Sequence, residues 1–319
     1  MSHSPIRDLR VGIDLGGTKI AGAVLGSDGA VLAEFRRPAP RDDYAARLSA
    51  VTDVVAEVER RAGGTGTVGI GIPGSLSPKT SLVQNANSTW INGMPFGRDL
   101  AAILGRPVKV ANDANCFALS EAVDGAAARF RAVFGVILGT GCGGGLVIDG
   151  TLLDGPRGIG GEWGHNPLPW ARAAEHPGPS CWCGRQGCME RWVSGPALAA
   201  DHWRTTGQRL SVEAIAERAA LDETAATATL ARHADRLARG IAGVVNVFDP
   251  DVVVLGGGLS KLTHLYEMLP ALIEPHVFAA DKRVAVKPPV WGDASGVRGA
   301  ARLWDRPCTA YFDEHLAGA

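Results

Sequence analysis

Residues 9–25 read LRVGIDLGGTKIAGAVL, and the elements on either side of the glycine pair decide the fold. Residues 9–14 alternate as a short apolar strand, and residues 20–25 form a second strand-like run. A glycine loop leading from a strand into a helix would indicate a dinucleotide or Walker site. Here it joins two strands and lacks both the GxGxxG and the GxxxxGK[ST] spacing. Backbone N–H groups at the tip of a β-hairpin also hold phosphate oxygens, so Asp14, Gly16, Gly17, Thr18 and Lys19 make a candidate phosphate loop. Asp14 would hold Mg2+ through water, since Mg2+ keeps much of its hydration and takes few carboxylates. The plainer role for Asp14 is to stabilise the turn.

The same grammar recurs downstream. Residues 132–138 (AVFGVIL) run into GTGCGGGLVIDG, and residues 251–258 (DVVVLGGG) end in three glycines. One such cluster is no more than a tight turn. Three strand-to-glycine junctions, with Gly139, Thr140, Gly141, Gly256, Gly257 and Gly258 added to the first loop, point to a nucleotide. Residues 44–62 carry Leu48, Val51, Val55 and Val58 at helical spacing, and TVGIGIPG at 67–74 reads as a buried strand ending in a turn. PVKVANDAN at 107–115 predicts a strand running into a helix, which puts Asn112 and Asp113 where ligands gather in α/β folds. Asp113 is the candidate general base for a phosphoryl acceptor, with helix N-cap as its ordinary role. Asn112 suits a neutral hydrogen bond to a polyol. Helices are predicted at 195–204, 211–220, 230–247 and 262–273, with a last one at 297–304.

Composition narrows the classes. A 46% hydrophobic content is enough for two cores, and 32 basic against 33 acidic residues, without a basic tract, argue against nucleic acid. The 42 glycines fall in short motifs, where backbone approaches a ligand or turns sharply. The opening MSHSPIRDLR has no apolar core of signal-peptide length, and no run of about 18 apolar residues follows. A cytoplasmic protein with no membrane partner is expected.

Residues 161–190 read GEWGHNPLPWARAAEHPGPSCWCGRQGCME, with three of the six cysteines in one cluster. An odd number argues against internal disulfides, whereas Cys181, Cys183 and Cys188 with one histidine make the Cys3His shell of structural zinc. Gly184 and Gly187 let the chain turn so that all three thiols face one ion. The fourth ligand is His165 or His176. Glu162, His165 and Glu190 would surround a sugar with polar groups, preorganised by the metal. Cys116, Cys142 and Cys308 read as small buried apolar residues.

Together DLGGTK, PGSLSP, ANDAN, LGTGCGGG, GEWGH, CxCGxxGCxE and VVVLGGG, in this order from about residue 11 to residue 304, resemble the ROK family of bacterial sugar kinases and sugar-responsive repressors. The resemblance implies an α/β, actin-like ATPase (ribonuclease H-like) fold of two domains with nucleotide and sugar in the cleft between them. Residues 1–111 would form the smaller domain, joined by a C-terminal helix at about 297–319, and residues 112–296 the larger one with the zinc loop. It implies Asp113 as the base, sugar contacts from Gly74, Asn87, Asn112, Asp113, Glu162, His165 and Glu190, and structural zinc on His165, Cys181, Cys183 and Cys188. ATP with Mg2+ would be the phosphoryl donor, and a homodimer the assembly. Family members often carry Asn in the glycine stretch before GEWGH, where this chain has Arg157. GIPGSLSPKT, QNANSTWING, NDANCFALSEAVDGAA and GEWGHNPLPW are most similar to bacterial fructokinases. Fructose phosphorylated on its 6-hydroxyl is therefore expected, with mannose and glucose as secondary substrates. The family's repressors carry a helix-turn-helix domain before the phosphate hairpin, which here begins ten residues in. A non-catalytic sugar sensor would be expected to have lost the base, and Asp113 is present. An enzyme is expected.

Overall fold

The computed structural model describes residues 8–41 and 43–305, which divide into two compact units. One comprises residues up to 123 with 150–160 and those from 293 onward; the other comprises 124–149 and 161–292.

In the first unit β1 (Arg10–Leu15), β2 (Lys19–Leu25) and β3 (Val31–Pro38) form an antiparallel meander. Helix α1 (Tyr44–Ala62) then returns the chain to β4 (Thr67–Ile72), parallel to β1, as a parallel pairing requires. Helix α2 (Phe96–Leu104) leads to β5 (Val108–Asn112), parallel to β4, which gives the order β3-β2-β1-β4-β5. Asp43 caps α1 by accepting from the Ala46 N–H at 2.9 Å, and Gly63 closes it at φ 73°. Leu48, Val51, Val55 and Val58 are all buried against the sheet. Helix α3 (Asp113–Val123) follows β5 without a loop. A final helix (Ser295–Arg302) covers the sheet. It lies so close that a Cβ on Gly12 would collide with the Val297 carbonyl and one on Gly69 with that of Ala300, so glycine is required there.

In the second unit β6 (Ala132–Leu138) and β7 (Cys142–Ile148) form a hairpin. β8 (Val252–Gly256) lies parallel to β6, and β9 (Ala285–Lys287) parallel to β8, in the order β7-β6-β8-β9. Between β7 and β8 come α4 (Glu190–Val193), α5 (Gly195–Thr206), α6 (Val212–Ala219) and α7 (Thr224–Phe248), and α8 (His264–Ile273) precedes β9. Leu237, Ile241 and Val245 of α7 pack with Phe134, Val136, Val253 and Leu255 in the core. Both units repeat one plan: a hairpin with a glycine tip, then strands added in parallel beside its first strand.

The division between units falls after Val123 rather than after residue 111. Helix α3 stays with the first unit because it packs backbone to backbone on the final helix, where a Cβ on Gly299 would collide with the Cys116 carbonyl. The chain also returns to that unit at 150–160. The predicted final helix begins two residues earlier, and the residues expected to extend it past 305 lie outside the described ones, as does Cys308. No helix among the described residues is long and apolar enough to cross a membrane.

Candidate functional site

In the first unit the β1–β2 register pairs Leu15 with Ile20, leaving Gly16, Gly17 and Thr18 at the tip, closed by the Gly16 N–H donating to the Lys19 carbonyl at 3.0 Å. Gly17, Thr18 and Lys19 are exposed. Asp14, one residue before the strand end, is half-buried. Burial pushes its carboxyl above the ordinary range, opposed by the charges of Lys19 and Arg36. A carboxylate so placed gains from a cation.

Asp113 opens α3. The Asn112 side-chain oxygen accepts from the N–H groups of Ala114 at 2.8 Å and Asn115 at 3.3 Å, and Asp113 Oδ1 accepts from the same Ala114 N–H at 2.9 Å, so both side chains satisfy the head of α3. Its amide donates to the Gly74 carbonyl at 3.0 Å. Gly74, at φ 74°, lies against the backbone of residues 84–86, next to the exposed Asn87. Gly74, Asn87, Asn112 and Asp113 are thus gathered around one strand end.

The second unit holds the other two glycine junctions on adjacent parallel strands, Gly256 pairing beside Ile137. Gly257 adopts φ 76° against the Leu138 backbone, and nothing lies within 4 Å of a Cβ placed on Gly139 or Gly258. Open backbone of this kind suits phosphate. Glu190 backs the loop: its Oε2 accepts from the Cys142 N–H at 3.2 Å, and its Oε1 from Trp182 Nε1 at 2.8 Å. Trp182 meets the His165 ring edge-on, centroids 5.0 Å apart. Glu162 belongs to the same group: burial raises its carboxyl, His165 opposes this and Glu190 adds to it.

The ligand atoms of His165, Cys181, Cys183 and Cys188 lie within 4.8 Å of one another. The Sγ atoms of Cys183 and Cys188 are 3.6 Å apart, and Cys181 Sγ is 3.7 Å from His165 Nδ1. A zinc tetrahedron with Zn–S about 2.3 Å and Zn–N about 2.0 Å has edges of roughly 3.6–3.8 Å, so the donor set fits zinc. His165, not His176, completes the group. Cys188 pairs as a β-bridge with Pro167, two residues from His165, while His176 caps a turn upstream. Cys116 and Cys142 are buried thiols held well above their ordinary range, first by burial and then by nearby carboxylates, and so unreactive.

Three residues had no signal in the motifs. Asp154, raised by burial, stands 3.4 Å from the Asn115 amide, and Trp182 and Arg47 are brought to their places only by folding.

The sequence model of the ROK family matches residues 10–306. The chain belongs to the ROK family. An N-acetyl-D-glucosamine kinase of Yersinia enterocolitica is 38% identical over 296 residues, 92% of this chain and 98% of that one. Among solved structures, the ROK hexokinase of Thermus thermophilus shares 32% identity at a TM-score of 0.81, over 92% of this chain and 96% of that one. The ROK glucokinase of Streptomyces griseus, solved with glucose and AMPPNP, shares 28% at a TM-score of 0.77, over 92% and 98%. This ROK sugar kinase therefore has the actin-like ATPase fold, and the duplicated sheet plan is its signature. Its relatives are named for N-acetyl-D-glucosamine, hexose and glucose, and the expectation of fructose draws no support from them.

Proposed function

We propose that the protein transfers the γ-phosphoryl group of ATP to the 6-hydroxyl of N-acetyl-D-glucosamine. The observation that carries the kinase reading is Asp113. It is a carboxylate at the head of α3, its Oδ1 accepting from the Ala114 N–H at 2.9 Å, next to the Asn112 amide that donates to the Gly74 carbonyl. The sugar is chosen on the likeness to the Yersinia kinase, which covers 98% of that chain.

Asp113 takes the proton of the attacking hydroxyl as its oxygen approaches phosphorus, while Gly74, Asn87 and Asn112 hold the sugar in the first unit. Glu162, His165 and Glu190, grouped within the second unit, are our further candidates for sugar-binding groups. His165 turns Nδ1 to the thiolates and so leaves Nε2 for the substrate. The four ligands would hold zinc, which fixes the loop and takes no part in the reaction. Backbone N–H groups of residues 16–18 in the first unit, and those of 139–141 with the open turn at 256–258 in the second, are each candidates to receive phosphate. Asp14 would orient Mg2+ through a water, and Mg2+, when bound, neutralises the charge on the phosphates. We read the assembly as a cytoplasmic homodimer, to be checked by light scattering.

An ADP-release assay with Mg-ATP over N-acetylglucosamine, N-acetylmannosamine, fructose, mannose and glucose should give N-acetylglucosamine the highest kcat/KM. Fructose in first place would overturn the sugar assignment, and no ADP release with any sugar would sink the kinase. Asp113→Ala should lower kcat by about 10²–10⁴ with sugar affinity retained; an active variant removes the base.

A further inference from the structure

Arg47 stands in the first helical turns of α1 with only 3% of its surface exposed. A cation near a helix N-terminus opposes the macrodipole, here beside the acidic N-cap Asp43, and arginine is deeply buried only where its charge is satisfied. Two of its contacts reach the segments assigned to substrates. Nη1 donates to the Gly16 carbonyl at 2.8 Å, and the guanidinium carbon lies 5.1 Å over the Trp90 ring.

Both contacts belong to segments assigned to substrates. In a trans peptide the carbonyl and the next N–H point in opposite directions. By holding the Gly16 oxygen, Arg47 aims the Gly17 N–H, one of the phosphate-binding donors, away from itself. Trp90 lies in the short turn Thr89–Ile91, whose Ile91 is buried in the core. The Asn92 side chain closes this loop by accepting from the Ala86 N–H at 2.9 Å and donating to the Ala86 carbonyl at 3.0 Å. Asn87 is carried within it. Arg47 therefore spans from the phosphate hairpin to the loop that presents Asn87, all inside one compact unit.

We propose that Arg47 is a positioning residue that couples sugar binding to nucleotide binding, an inference that rests on the kinase reading above. A sugar that orders the Asn87 loop fixes Trp90, and Trp90 fixes the guanidinium that aims Gly17.

The test uses calorimetric titration of AMPPNP and of N-acetylglucosamine, each with and without the other, on the wild type, Arg47→Met, Arg47→Lys and Trp90→Leu, with melting temperature as a check of folding. In the wild type each ligand should tighten the other by about tenfold, within the usual range of coupling between sites. Arg47→Met should abolish that factor and raise KM for both substrates, whereas Arg47→Lys, which keeps a donor and a cation, should restore most of it. Trp90→Leu should lose the coupling yet keep its AMPPNP affinity without sugar. A coupling factor in Arg47→Met equal to that of the wild type, or losses that follow only the folded fraction, would overturn the proposal. If Arg47→Met does not fold, unchanged coupling in Trp90→Leu overturns it. A wild type that phosphorylates no sugar defeats the kinase reading alone; weaker AMPPNP binding by Arg47→Met would still support the hairpin contact, and unchanged binding would defeat it.

Discussion

The two glycine hairpins occupy the same place in their sheets and are supported in opposite ways. Asp14 is the penultimate residue of β1; the penultimate residue of β6 is the aliphatic Ile137. The tip of the first hairpin is held by a cation, Arg47, on its Gly16 carbonyl, and the tip of the second by an anion, Glu190, on the Cys142 N–H. Behind the first stands an apolar stripe of α1. Behind the second, Arg239 and Arg236 of α7 bind the buried Glu175, and Arg239 also donates to the carbonyl of Trp170, in the segment leading to the cysteines. One backbone plan thus serves two chemistries because topology positions the peptide groups while the charge opposite each tip comes from elsewhere in the chain. The first hairpin is complete within its sheet and helix; the second depends on the cysteine loop and an ion network.

If that contrast is right, stripping the metal should do the most harm, and only to the second unit. Cys183→Ser or prolonged chelation should lower the melting temperature by more than about 10 °C, since structural zinc contributes on the order of 10 kcal/mol. Amide exchange in β1 and β2 should be unaffected; a uniform loss of protection would show that the hairpins are not independent.

Arg239→Met should come next, at about 3–5 kcal/mol by urea unfolding, because it leaves Glu175 without its main partner. Burial tends to raise the Glu175 carboxyl, but bonds from Arg239, the Arg172 backbone and Arg236 bring it from 4.5 down to about 2. Its folded value lies below its unfolded one, so its contribution is present above about pH 4.5 and lost as pH falls toward 2. The wild type should therefore lose stability through that window, and Arg239→Met should lose less.

Asp14→Asn separates function from stability. Its kcat should fall by roughly 10²-fold, as for loss of one electrostatic contact in a transition state. Stability at pH 7 should stay or rise: a folded value above 3.8 means that the charged form is penalised in the native state. A lower melting temperature would contradict the burial argument.

The smallest effects should come from paired glycine changes. A Cβ on Gly141 would lie 2.8 Å from Glu190 Oε2, whereas one on Gly17 meets nothing within 4 Å. Gly141→Ala should raise KM for the sugar several-fold by shifting Glu190, and Gly17→Ala should raise KM for ATP alone. Each change corresponds to about 1 kcal/mol.

Much of this was legible because it is local. Alternation before and after Gly16-Gly17 marks a hairpin, Asn112 and Asp113 at a strand-to-helix junction mark a ligand end, and CxCGxxGC places three thiols within reach of one ion through turns that need Gly184 and Gly187. His165 against His176 was legible only through the family resemblance, because within the chain the choice rests on the pairing of Pro167 with Cys188 across an intervening loop. The allegiance of α3 was not legible either, since it follows from a close approach to a helix far along the chain. Fructose was preferred on motif segments that do not encode which hydroxyls or substituents the assembled pocket satisfies.

The sequence alone determined the elements, the glycine tips and the cluster of three cysteines. Each depends on φ/ψ preference, side-chain period or donor chemistry over a few neighbouring residues. Tertiary structure alone decided that the two hairpins are one repeated plan, that Asn112 ties the head of α3 to the Gly74 carbonyl, and that Arg47 reaches both Gly16 and Trp90. These depend on distances between residues far apart in the chain, which become defined only when the cores close around them.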